Sequence, residues 1–249
     1  MSLNVEAPRP MGTAAPTELR GDRLVGGSLL LVAALLFGLQ ILAGHVIPPL
    51  AIFGAVTVVL GGVTLRRSPR WLLIVDALVV LVYLVGSTPF MAANLAHPES
   101  PGSFLAEVFI LLAFLTVLAG VVLRLRGAGA LARRRVVVGV AAVAVVATIG
   151  SLVAAAAVDT EARQDGDIAI ASDRSLFPSE VEMPAGDAVL WLDNRDPFHH
   201  TFLIDDTDIR AVMPASSSVR IPVDLAPGSY RFWCDVPGHE SMEGVLHVR

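Results

Sequence analysis

Apolar residues first run in long, nearly unbroken blocks and then, beyond Val158, alternate with polar ones. The blocks are Leu24–Val46, Leu50–Leu65, Trp71–Ala92, Phe104–Leu123 and Val136–Val158. Each approaches the roughly 20 residues that an α-helix needs to cross a hydrocarbon core. The second is short, but Pro48 and Pro49 can extend it at the membrane surface. The first is too long for a signal-peptide core and lacks a small-x-small exit. The pattern predicts five transmembrane helices over residues 24–158. Residues 1–23, polar and interrupted by Pro8, Pro10 and Pro16, read as a disordered cytoplasmic tail.

Residues 159–166, Asp-Thr-Glu-Ala-Arg-Gln-Asp-Gly, form a short acidic linker. Beyond it the period falls to two. Strand-like runs are expected at Asp167–Ala171, Val181–Met183, Ala188–Asp193, His200–Ile204, Val219–Val223, Tyr230–Cys234 and Gly244–Val248. Pro, Gly, Asp and Ser turns separate them, a spacing that predicts an all-β sandwich over residues 167–249.

Composition agrees with this division. Hydrophobic residues make up 54% of the chain and charged ones only 16%, too few for a soluble domain of 249 residues. Residues 1–158 carry 11 arginines against 6 acids, and residues 159–249 carry 7 against 17. Arginines precede helix 1 and fill the loops between helices 2 and 3 and between helices 4 and 5; the alternate loops have none. Positive loops stay inside. The N-terminus is therefore expected in the cytoplasm and the β-domain outside the plasma membrane, with the lipid bilayer as the first partner. No nucleic-acid partner is expected, and nothing in the pattern specifies an oligomeric state.

The candidate chemistry lies near the C-terminus, in Phe232-Trp233-Cys234-Asp235-Val236-Pro237-Gly238-His239-Glu240-Ser241-Met242. Cys234 is the only cysteine, which excludes an intramolecular disulfide. Thiolate, imidazole and thioether together suit copper in a trigonal site with a long axial methionine. A second imidazole must come from a neighbouring strand, and His199-His200 opens the run Thr201-Phe202-Leu203-Ile204.

This arrangement resembles the cupredoxins, the blue-copper family, in which an early His opens one strand and a Cys–His–Met loop joins the last two. The resemblance covers roughly Asp167–Arg249. It includes Phe177-Pro178-Ser179-Glu180 through Gly186, Val189-Leu190-Trp191-Leu192-Asp193-Asn194 and the Pro-Gly-Ser-Tyr turn before Arg231. It implies a Greek-key sandwich holding one type 1 copper per chain, with Cys234, His239 and one of His199 or His200 as ligands and Met242 axial. The His-Thr-Phe-apolar order favours His200. Only two residues separate His239 from Met242, where many members have three or four. A two-copper centre needs a second loop cysteine and is ruled out.

Other candidates read more plainly. Met183 and Met213 are expected in the core, and His247 on an exposed strand face. Asp76 falls about five residues into helix 3, where an acid is a functional candidate, though it could meet water or an inner arginine. His45, His97, Glu99 and Glu107 collect at the outer helix ends and read as interface polarity in preference to a polar or metal-binding cluster facing the β-domain. Gly54 and Gly61-Gly62 read as close helix packing.

No paired carboxylates, Ser–His–Asp set or open metal position suggests substrate turnover, so the chain reads as an electron carrier and not an enzyme. The resemblance makes the edge of His239 the electron port. Asp235, Glu240 and Glu243 around it would steer a basic redox partner protein. Two other readings stay open: copper capture, delivery or sensing, and a metal-free membrane interaction scaffold.

Overall fold

The computed structural model describes residues 21–44 and 46–249, so most of the expected tail and the candidate His45 lie outside the described residues. Its helices are α1 (Arg23–Ala43), α2 (Pro48–Arg66), α3 (Arg70–Gly86), α4 (Thr88–Leu95), α5 (Pro101–Leu125) and α6 (Ala130–Ala156). Four are long and apolar enough to cross a membrane singly, and α3 with α4, bent by 63° at their junction, makes a fifth candidate if the pair is one span.

The bend is the main departure from the expected third helix. Gly86 propagates a helix poorly, and Pro89 has no N–H to continue the ladder and crowds the carbonyl four residues back. Ser87 Oγ and Thr88 Oγ1 donate instead to the carbonyls of Tyr83 and Leu84, at 2.8 and 2.9 Å. The chain therefore turns where α3 ends, and α4 leans away.

The bundle core is formed by Val25, Leu29, Val32 and Leu36 of α1, Leu73 and Val80 of α3, and Ile110, Phe114 and Val117 of α5. Helices α1 and α2 approach most closely at two glycines: a Cβ on Gly26 would lie 2.9 Å from the Gly61 carbonyl oxygen, and one on Gly61 equally close to that of Gly26. Gly54 lies beneath the Phe37 ring in the same way, whereas Gly62 faces nothing within 4 Å and is not a packing residue. At the arginine-bearing end, Asp22 caps α1 through the N–H groups of Leu24 and Val25 and pairs with Arg133 at 3.1 Å. Asp76 is fully buried and accepts a 2.8 Å bond from Thr64 Oγ1 of α2.

The β-domain has two sheets. One is β1 (Ile168–Ser172), β3 (Gly186–Asn194) and β6 (Ser218–Leu225); the other is β2 (Glu180–Met183), β8 (Glu243–Val248), β7 (Gly228–Trp233), β4 (His200–Ile204) and β5 (Arg210–Met213), each in that spatial order. Ile170, Leu190 and Leu192 from the first face Phe202, Ile204, Phe232 and Leu246 from the second, all essentially without exposure. Pro222 fits β6 because that strand is an edge and needs no donor there. Strand β5 is an addition to the expected set; four residues with only Met213 fully buried carry too little alternation to stand out. The linker is laid against the domain: the Glu161 N–H donates to the Ser218 carbonyl, and its own carbonyl accepts from Trp191 Nε1.

The domain sits on the end of the bundle that lacks arginines. Ser100 Oγ accepts from the Ala215 N–H at 3.0 Å, and a Cβ on Gly102 would lie 1.9 Å from the Pro197 carbonyl oxygen. The start of α5 and the loop before β4 thus touch backbone to backbone, which only a glycine at 102 permits.

Candidate metal centre

Cys234 lies just beyond β7, and the chain from there to Met242 closes on itself. The Cys234 N–H donates to the Met242 carbonyl, the His239 N–H to that of Val236 and the Met242 N–H to that of His239, at 2.8–3.0 Å. Gly238 turns the loop with φ +88°, a conformation that L side chains rarely adopt. Gly244 at its exit is enclosed: a Cβ there would lie 2.5 Å from the Phe232 ring and 2.2 Å from the Pro178 carbonyl oxygen. The short His–Met spacing is compatible with this compact turn.

Strand β4 brings His200 against the loop. Its Nδ1 is 3.1 Å from His239 Nδ1, which is 3.7 Å from Cys234 Sγ. The three ligand atoms all lie within 4.8 Å of one another. Donors bound at about 2.0–2.3 Å to one ion, at trigonal or tetrahedral angles, stand roughly 3–4 Å apart, so the spacing fits a metal. The donor set suits copper, which the three side chains would hold and which would supply a reversible one-electron couple.

The cupredoxin-like domain family matches residues 139–248, a span that enters α6 and takes in all eight strands. The β-domain is a cupredoxin-like domain. No curated protein matches the chain. Among solved structures it is similar to auracyanin B, at 18% identity over 36% of this chain and 93% of that one, with a TM-score of 0.31. It is also similar to amicyanin from Paracoccus versutus (17% identity, 35% and 85% coverage, TM-score 0.29) and to a rusticyanin variant (17%, 33% and 76%, 0.29).

Within this cupredoxin domain the surroundings of the cluster are built to orient it. His200 Nε2 is 2.9 Å from Asp196 Oδ2, which leaves Nδ1 to face the other two groups. Asn194 fixes the loop carrying Asp196: its Oδ1 accepts from the Asp196 N–H, and its Nδ2 donates to the Phe198 and Met213 carbonyls. The Cys234 sulfur accepts from the Thr201 N–H at 3.4 Å and lies 3.5 Å from the Thr201 hydroxyl. Burial alone would raise the Cys234 thiol, but His200, His239 and Thr201 outweigh it and hold it at about 5. Burial also works against a charged His200, yet Asp196 and Cys234 push its pKa up. The site therefore favours the thiolate, the form of cysteine that binds a metal.

Met242 is fully buried and joins the β-core beside Cys234 and Val236. Met183 and Met213 are core residues, and His247 alternates on β8 with its Nδ1 bonded to Ser229. His199 points away from the cluster. Its Nδ1 is 3.1 Å from Ser103 Oγ of α5, and its ring stacks on His97 at 4.4 Å. Burial, with the neighbouring His97 next, depresses it to about 3, so it is a neutral interface residue.

Three sequence expectations need revision. His97, Glu99 and Glu107 are not simple interface polarity: His97 bonds Glu99 at 2.8 Å beneath His199, and Glu107 is buried against Asn94. The acids around His239 are mostly engaged, Asp235 with Arg210 and Glu243 with Arg231, both at 2.6 Å. That removes the argument for a basic partner. The supporting residues Asp196 and Thr201 went unrecognised, although both flank the His199-His200 pair that was singled out.

Proposed function

We propose that the chain is a membrane-anchored type 1 copper protein that carries single electrons at the outer face of the plasma membrane. The carrying observation is the convergence of His200, His239 and Cys234, whose ligand atoms lie within 4.8 Å of one another. His200, Cys234 and His239 would hold one copper, with Met242 supplying a thioether as the weak further donor. Asp196 orients the His200 ring, and Thr201 bonds the thiolate and thereby tunes its electron density. A donor set held in place by its neighbours needs little rearrangement between oxidation states, which suits electron transfer rather than metal release.

The arginine distribution supports the orientation. Arg66, Arg67, Arg70, Arg124 and Arg133 cluster at the bundle end opposite the domain, the end expected in the cytoplasm. Voltammetry of the copper-loaded protein tests the reading. A reversible one-electron wave that moves to higher potential in Met242→Leu supports it, because an apolar replacement disfavours Cu(II). Copper handover to a chelator with no reversible wave replaces it with copper delivery.

A further inference from the structure

A cavity of about 920 Å³ lies between the outer ends of the helices and the loop that carries His239. Leu39, Phe53, Phe90 and Ile110 give it apolar walls, and His239 borders it from the domain side. The α3–α4 bend opens this space, since α4 leans over to bring Phe90 within 3.2 Å of where a Gly238 Cβ would sit.

One polar group inside it is unaccounted for. Glu107, on the second turn of α5 roughly 9 Å from its start at 1.5 Å per residue, lines the cavity and is only 7% exposed. Its Oε2 accepts a 3.3 Å bond from Asn94 Nδ2, while its Oε1 has no hydrogen-bond partner among the described residues. A buried carboxylate oxygen without a donor is costly, and Glu107 lines a space large enough for a ligand.

Four features of the cavity restrict that ligand. It needs a hydroxyl or amine donor for Oε1. It is largely apolar, because the walls are. It can pack a ring, since Phe53, Tyr83 and Phe90 place aromatic side chains on its lining. An anionic lipid headgroup is disfavoured by the carboxylate, and among the described residues the one arginine on the lining is the exposed Arg174. We propose that this cavity binds a lipid-soluble hydroquinone, ring inside and one hydroxyl on Glu107 Oε1, with its tail toward the bilayer. The redox class, as distinct from the fit, rests on the one-electron reading of the neighbouring copper site, whose ligand His239 borders the same space.

The test is calorimetric titration of the copper-free full-length protein in detergent with 2-decylhydroquinone. One saturable site per chain is expected. Glu107→Leu should weaken binding about tenfold or more, the loss of a hydrogen bond to a charged group, and Glu107→Gln should retain most of it because its carbonyl still accepts. Asn94→Leu serves as a second variant if Glu107→Leu does not fold. The dimethyl ether of the same probe should bind at least tenfold more weakly. The proposal is overturned if the wild type shows no saturable binding, if the ether binds as well as the hydroquinone, or if one equivalent of phosphatidylglycerol displaces the probe. Adding Cu(II) to the same wild-type sample separately reports on the copper site, so the two readings fail independently.

Discussion

The β-domain and the helix bundle use the same apolar residue types in opposite ways. In the domain, Leu190, Leu192, Phe202 and Phe232 meet between two sheets and are shut off from solvent. In α6, by contrast, Val145, Val146 and Val153 are 57–70% exposed, and Ser151 is the only buried residue. An apolar helix face this bare is stable only in lipid. The difference shows that burial within the protein measures stability in one region and not in the other. It also explains where the polar chemistry lies: at the junction, where His97, His199 and Ser103 hold the two together.

The contrast breaks most sharply on topology. A reporter fused after Arg249 should be active only outside the cytoplasm, and one placed between Arg126 and Arg133 only inside. Cytoplasmic activity of the C-terminal fusion would mean an even number of crossings and would separate the bundle from the orientation given to it.

Next in size is the division of labour between adjacent histidines. His200→Ala should abolish the visible copper spectrum. His199→Ala should leave that spectrum almost unchanged but loosen the domain from the bundle, raising hydrogen exchange around Ser103 and Pro197. Equal spectral loss in both variants would erase the distinction between a metal-facing and a membrane-facing side.

Much of this architecture is legible in the sequence because hydrophobic period is a strong local signal. Blocks of about twenty apolar residues mark the spans, and Cys234 and His239 share one loop, so their meeting needs no tertiary information. The break after Gly86 was locally encoded by Ser87, Thr88 and Pro89, but the apolar run passes through it and conceals it. Asp196, Asn194 and Thr201 act through loop paths that no period records. The contact of Gly102 with Pro197 joins residues 95 apart in sequence, and only the docked structure reveals it.

Two smaller effects sharpen the comparison within the domain. Asp196→Asn should weaken copper affinity by roughly 10–100-fold, the usual cost of losing a ligand's orienting partner, measured by chelator competition. Asp167 bonds Arg220 through both carboxylate oxygens at 2.8 Å, and this pairing lowers it from 3.8 to about 2. A depressed carboxylate stabilises the fold above its unfolded pKa near 4, and that stability is lost as pH falls through about 2. Asp167→Asn should therefore lower the thermal midpoint at pH 7 and make little difference near pH 2; an equal shift at both would show that the ion pair is not the cause.

The central claim is that His200, Cys234 and His239 form a copper site of the blue type, and titrating the purified full-length protein with Cu(II) while recording its visible absorption tests it most directly. One equivalent should develop an intense sulfur-to-copper charge-transfer band that saturates at one copper per chain and is absent in Cys234→Ser. Stoichiometric copper binding without that band, or a band that survives Cys234→Ser, would contradict the claim.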